Sequence, residues 1–278
     1  MPPPQFHRPL TAPARVNPWL PQLVVGTAVI AGGLLLMGHP LDRTWSLALN
    51  QGLGGWPQLW SFLTWSGLGI CGLLLLTACS AGEPRRVAGM LVALLIGGLL
   101  VHALKRGLQV ERPLAVFGVD HPVFQVIGES LHKGSMPSGH SATVWAVAGL
   151  LFLREGAGSV WRHAWWVLAS LQALSRIVVG AHWPSDVLVG SGIGLLLAAG
   201  VWHLGITQRL GRWLGQPTPS LCLAGLLPAL ALGLCVADLG WALPAGVQAG
   251  VIALGLWGCW RWWRQADMNQ DTLGARCT

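Results

Sequence analysis

Apolar residues recur in long, nearly uninterrupted runs rather than at strand or surface-helix spacing. A membrane-crossing helix needs about 20 predominantly apolar residues, and eight segments meet that pattern: 19–38, 57–79, 87–105, 139–154, 164–181, 185–205, 221–237 and 243–263. Two stretches between them are too polar to span. Residues 41–56 (LDRTWSLALNQGLGGW) predict an interfacial helix or loop. Residues 106–138 form the longest loop, with Glu111, Asp120 and Glu129 among its polar members. Its apolar residues, Phe117 and Phe124 among them, either dip into the interface or cap the bundle.

The fold class this implies is all-α, a polytopic membrane helix bundle. Residues 1–18 (MPPPQFHRPLTAPARVNP) lack a packing pattern and predict a disordered, Pro-rich cytoplasmic arm. The first span runs into MGHPLDR without a small-residue cleavage site, so it is expected to stay as an anchor. Residues 264–278 are expected to form a cytoplasmic tail.

Composition removes the soluble alternatives. Hydrophobic residues make up 53% and charged residues 10% of the chain, against about 25% charge in soluble domains. The mean hydropathy is +0.56. Seventeen Trp and no Tyr suit a chain that meets the headgroup layer. A net charge of +7 comes without a basic run or an aromatic-basic stripe, so nucleic acid is not expected as a partner. Cys71, Cys79, Cys222, Cys235, Cys259 and Cys277 form no C-x-x-C pair; a disulfide framework and a zinc site are both unexpected.

Cation placement sets the expected orientation. With the amino terminus inside, eleven cations are cytoplasmic, from Arg8 to Arg276, and six lie outside: Arg43, Lys105, Arg106, Arg112, Lys133 and Arg176. Both termini are then cytoplasmic.

Three clusters of polar residues end spans on that outer side. In KRGLQVERP, Lys105 and Arg112 are seven residues apart, so both can share one helical face roughly 10 Å apart. Two snorkelling cations would look the same. In MPSGHSAT, Ser138 fits an N-cap, Gly139 admits a ligand close to the backbone, and His140 enters the first turn. Unpaired N–H groups there favour an anion. In SRIVVGAHWPSD, Arg176 precedes His182 and Asp186, which are four apart, with Pro184 suited to a first helical turn. A carboxylate so placed orients an imidazole, although such a pair also simply closes helix ends. Together these bring three cations, two His and two helix starts to one face. With neither a carboxylate cluster nor a His-x-His spacing, no metal or other cofactor is expected. The set suits a phosphoryl group, with one His as nucleophile and one as proton donor.

The segments K-x6-R-P, P-S-G-H and S-R-x5-H-x3-D resemble, in order, the three-part signature of the type 2 phosphatidic acid phosphatase (PAP2) superfamily. At the level of architecture the resemblance covers residues 57–205; it implies a six-span core over 19–205 and two additional spans over 206–263. It also implies roles. Lys105, Arg112 and Arg176, helped by Ser138 and the Gly139 amide, would hold phosphate. His182 would be the nucleophile, Asp186 its charge partner and His140 the general acid. The expected function is a bacterial inner-membrane lipid phosphatase, active at the periplasmic face on a phosphorylated membrane lipid. Undecaprenyl diphosphate, phosphatidylglycerophosphate and phosphatidate are the leading substrates. Alternatives are a lipid A phosphatase, a phosphotransferase from the carrier diphosphate to lipid A, and, outside catalysis, a scramblase or structural protein; a vanadate-dependent peroxidase is disfavoured. Gly190 and Gly194 form a small-xxx-small pair, suited to packing within the bundle or to a homodimer face. His39, His102, His121 and His132 read as ordinary interfacial or loop residues, though His121 and His132 could line the entrance.

Overall fold

The structure is a computed structural model of the chain, described for residues 17, 19–80, 82–153, 159–237 and 244–274. The Pro-rich arm therefore lies almost wholly outside the described residues. The helices are α1 (Leu20–Leu36), α2 (Pro40–Leu53), α3 (Pro57–Ser66), α4 (Gly69–Cys79), α5 (Pro84–Leu108) and α6 (Pro113–Phe117). They continue with α7 (Gly139–Phe152), α8 (Val160–Val178), α9 (Pro184–His203), α10 (Gly205–Leu214), α11 (Pro217–Val236) and α12 (Ala245–Gly274). The described residues contain no strand, and the chain is an all-α polytopic membrane bundle.

Each of the eight apolar segments contains a helix, but not every segment is a single straight span. Three stretches are long and apolar enough to cross alone, Pro84–Phe117, Pro184–His203 and Pro217–Val236; two bent pairs raise this to five. The pair α1 and α2 turns by 102°, so the polar 41–56 stretch is a helix set across the end of α1. The segment expected as one span over 57–79 is broken instead, α3 meeting α4 at 67°. The Ser66-Gly67-Leu68-Gly69 run explains the break: Leu68 is extended (φ −62°, ψ 145°) between the two helices. Helix α7 has only 14 residues, about 21 Å at 1.5 Å per residue, short of a roughly 30 Å hydrocarbon core. The chain is already inside the bundle before α7 starts, because Ser135, Met136 and Ser138 are all buried. Finally, α12 runs on to Gly274, so the expected tail at 264–278 is largely helix.

Helix α9 is central, and its small residues are the reason. A Cβ on Gly190 would lie 2.3 Å from the Ser138 carbonyl oxygen, and one on Gly194 2.3 Å from that of Ala142. On another face of α9, a Cβ on Gly192 would meet the Gly26 carbonyl oxygen of α1 at 2.5 Å. Backbones this close give large dispersion contact between helices that share a lipid-like surrounding. The Gly190–Gly194 pair is therefore consumed by α7 and offers no dimer face.

The last two helices are not an appendage. Leu223, Ala224, Leu227 and Trp262 share one buried core with Leu74, Leu76 and Val87. Trp262 is fully buried, and its Nε1 donates to the Thr77 carbonyl at 3.1 Å, while Arg261 Nη1 donates to Ala78 at 2.9 Å. These are last-turn carbonyls of α4, which have no partner within their own helix.

Candidate active site

Four chain segments converge at one end of the bundle. The turn after α8 begins with Gly180 at φ +76°, a left-handed conformation that favours glycine. A side chain there would also strike the Gln125 carbonyl oxygen at 2.8 Å. The turn delivers His182 and then Pro184 at the start of α9. Asp186, in that first turn, accepts from the Trp183 amide at 2.9 Å and from the Ser135 hydroxyl. Its backbone carbonyl accepts from the Ser138 amide at 3.0 Å, which ties the start of α7 to the start of α9. That tie places His140 and His182 on one cavity.

The cavity has a volume of about 640 Å³. Of the residues singled out from sequence, Lys105, Arg112, Gly139, His140, Arg176 and His182 all line it. Asp186 stands behind His182, fully buried, with Oδ2 3.2 Å from His182 Nδ1. His182 Nε2 lies 3.4 Å from Arg112 Nη1. A guanidinium only donates, so Nε2 is the accepting nitrogen and the ring proton sits on Nδ1, toward Asp186. Burial, reinforced by Arg112 and Arg176, holds His182 well below the usual imidazole range. The ring is neutral at pH 7, with a lone pair on Nε2 next to a cation.

Arg112 is itself fixed by carbonyls. Nη1 donates to Ala181 at 2.9 Å, Nε to Lys133 at 2.9 Å and Nη2 to Gly134 at 3.3 Å. Lys105 Nζ donates to Gly134 and, at 3.4 Å, to Ser135. Arg176 is buried, and its Nε has no hydrogen-bond partner. A buried unpaired donor is costly, and an anion in the cavity would relieve it. Ser138 differs from expectation. It is fully buried and absent from the lining, and its Oγ accepts from the Ser141 amide at 3.3 Å and hydroxyl at 2.9 Å. It acts as the cap that shapes the turn bearing Gly139 and His140.

Sequence reasoning missed several contributors. Thr64, Trp65 and Leu68 line the cavity from the break between α3 and α4; Gly67 and Gly69 were the signal. Asp42, on α2, accepts from the Ser185 amide at 2.9 Å and from its hydroxyl, and so holds the first turn of α9. Asn50 pins the outer loop: its Nδ2 donates to Gln125 at 2.8 Å and to Val178 at 2.7 Å, and its Oδ1 accepts from the Gln125 amide. Nothing in the local sequence marks either residue. The outer loop caps the bundle through Phe124, buried against Phe117 at 4.9 Å between ring centroids. His121 and His132 are absent from the lining, and His121 Nδ1 accepts the Phe124 amide at 3.2 Å. Among the described residues, no group of three or more His, Cys, Asp or Glu could hold a metal ion.

Fold and site define the class: a helical membrane protein with a cationic, histidine-bearing cavity at one end of its bundle. The chain belongs to the PAP2 superfamily, a family of phosphatases, whose model matches residues 86–209. A Mycobacterium tuberculosis decaprenylphosphoryl-5-phosphoribose phosphatase is 32% identical over 62% of this chain and 88% of its own length. A Porphyromonas gingivalis lipid A 1-phosphatase is 46% identical over 24% of this chain; the match spans only 16% of that protein. A crystal structure of Aquifex aeolicus LpxE is 20% identical, with a TM-score of 0.45 over 70% of this chain and 100% of that one.

Proposed function

We propose that the protein is an inner-membrane lipid phosphatase acting at the periplasmic face. The observation that carries this reading is that apolar clefts adjoin the charged cavity. Leu68 lines both the cationic cavity and an apolar cleft formed with Ile70, Leu73, Leu94 and Leu234; Gly139 is shared with a second cleft along Ala93, Gly97, Val101 and Ala142. A phosphate in the cavity can thus stay attached to a chain lying in hydrocarbon.

In the proposed reaction Lys105, Arg112, Arg176 and the Gly139 amide hold the phosphoryl oxygens, with Ser138 holding the turn from behind. His182 Nε2 attacks phosphorus and the bond to the leaving oxygen breaks. His140 protonates that oxygen. The phosphohistidine is then hydrolysed by a water that His140 deprotonates, which releases phosphate. Asp186 stabilises the positive ring formed during attack. Fixed cations supply charge stabilisation at the moment it develops, without solvent reorganisation.

The substrate is a phosphomonoester or diphosphate of a membrane lipid, of the undecaprenyl diphosphate, phosphatidylglycerophosphate or phosphatidate class. A second reading is dephosphorylation of lipid A, which the name of the Porphyromonas gingivalis relative supports, or phosphoryl transfer to lipid A by the same chemistry. Phosphate release from a panel of lipid phosphates and diphosphates, with and without lipid A as acceptor, separates these. Release from none of them sinks the lipid phosphatase reading. Cytoplasmic tags at both termini, with periplasmic labelling of a Cys introduced between 114 and 136, test the sidedness.

A further inference from the structure

The cavity that holds three cations also presents one carboxylate, that of Glu129, and nothing in the proposed chemistry uses it. For a site that only had to hold phosphate, this group would be adverse. Its position is nonetheless built. Two residues before it, the Ile127 amide donates to the Val179 carbonyl at 3.1 Å; three residues after it, the His132 carbonyl accepts from the Arg112 amide at 2.9 Å. Ile127 and Leu131, on either side, also line the cavity. Glu129 is solvent-exposed, and among the described residues it makes neither an ion pair nor a hydrogen bond. A carboxylate without a hydrogen-bond partner, acting on Arg112 and Arg176 only through space, is thus held at the mouth of a cationic cavity, and an ionised carboxylate can only accept.

Resting on the phosphatase reading, we propose that Glu129 is a specificity-determining residue. It accepts hydrogen bonds from hydroxyl or ammonium groups that flank the scissile phosphate, and it selects single phosphomonoesters on such headgroups over diphosphates. The charge balance runs the same way. Lys105, Arg112 and Arg176 against Glu129 leave two net positive charges, which a phosphomonoester of about −2 neutralises. A diphosphate brings further negative charge toward the one lining group that repels it.

The test compares wild type with Glu129→Gln and Glu129→Asp, using the full chain in detergent. Affinities for ribose 5-phosphate, phosphoethanolamine and inorganic pyrophosphate are measured by calorimetry. Charged hydrogen bonds are worth about tenfold or more in affinity. Glu129→Gln should therefore weaken ribose 5-phosphate, phosphoethanolamine or both by about tenfold, and leave pyrophosphate unchanged or tighter. Which of the two weakens tells hydroxyl from ammonium recognition, and Glu129→Asp should restore part of the loss. Equal shifts for all three probes, or no preference against pyrophosphate in wild type, overturn the proposal. Lipid turnover by wild type is scored separately, so loss of the lipid phosphatase reading and loss of the Glu129 role are distinguishable.

Discussion

Asp186 Oδ2 lies 3.2 Å from His182 Nδ1, and this one pairing decides which imidazole nitrogen faces the cavity. With the proton on Nδ1, Nε2 presents its lone pair beside Arg112, 3.4 Å away. The same carboxylate oxygen accepts from the Trp183 amide and the Ser135 hydroxyl, so the orienting group is itself held from two sides.

The two cavity His should fail differently. In the proposed mechanism His182→Ala removes the attacking atom, so no phosphoenzyme should form with any leaving group. His140→Ala removes the proposed proton donor, whose help is worth about 10²–10⁴-fold and matters most for basic leaving groups. It should recover substantially on aryl phosphates and accumulate phosphohistidine. Single-turnover release and phosphoenzyme capture on alkyl and aryl esters check this; phosphoenzyme in the His182 variant would reverse the assignment.

The acidic limb of kcat/KM should lie below about pH 6.5, the unperturbed imidazole value. His182 is depressed, so its neutral, nucleophilic form survives to lower pH, and activity is lost only as pH falls through the depressed value. An unfolded chain would take up this proton near pH 6.5 while the native one does not, so stability also declines as pH drops below that point. Arg112→Gln should move the limb upward by part of the shift, because burial is the larger cause. A limb at or above 6.5 in wild type would refute the neutral-ring argument.

Chelation should leave turnover unchanged, since the proposed mechanism takes its charge stabilisation from Lys105, Arg112 and Arg176, which line the cavity. Assays in excess chelator check it. Activity that vanishes and returns with magnesium would contradict a mechanism built on these cations.

Gly190→Ala should destabilise the bundle, because its Cβ would sit 2.3 Å from a backbone carbonyl that cannot swing aside. Overpacking of this kind costs about 1–3 kcal/mol. Gly200→Ala, with open space around its Cβ, is the control on the same helix. Thermal unfolding in detergent should show a lower midpoint for the first and not for the second.

Trp262→Ala should cost about 3–5 kcal/mol, the range for emptying a buried aromatic site. It deletes both a fully buried ring and the donor to Thr77. A chain ending at 205 should likewise lose the folded core, because α4 and α5 share that core with α11 and α12. Unaltered unfolding of the Trp262 variant would mean that the last two helices are dispensable.

What the sequence by itself determined is local. Apolar runs are set by the cost of leaving backbone polar groups in lipid, so every span has its helix. Short spacings carry their own geometry too: Ser138 caps α7, and His182, just ahead of the Trp183 cap, meets Asp186 in the first turn of α9. Lys105, Arg112, Gly139, His140, Arg176 and His182 were legible for the same reason, each lying within a few residues of a helix end. What tertiary structure alone decided is long-range. Asp42 reaches Ser185 across 143 residues, Asn50 holds Val178 across 128, and Glu129 comes to face Lys105, Arg112 and Arg176 from a loop of another part of the chain. Such partners are chosen by how close helices can approach, which depends on Gly190 and Gly194 meeting backbone rather than lipid. Periodicity does not encode that choice, because an apolar stripe reads the same whether it faces a neighbouring helix or the bilayer.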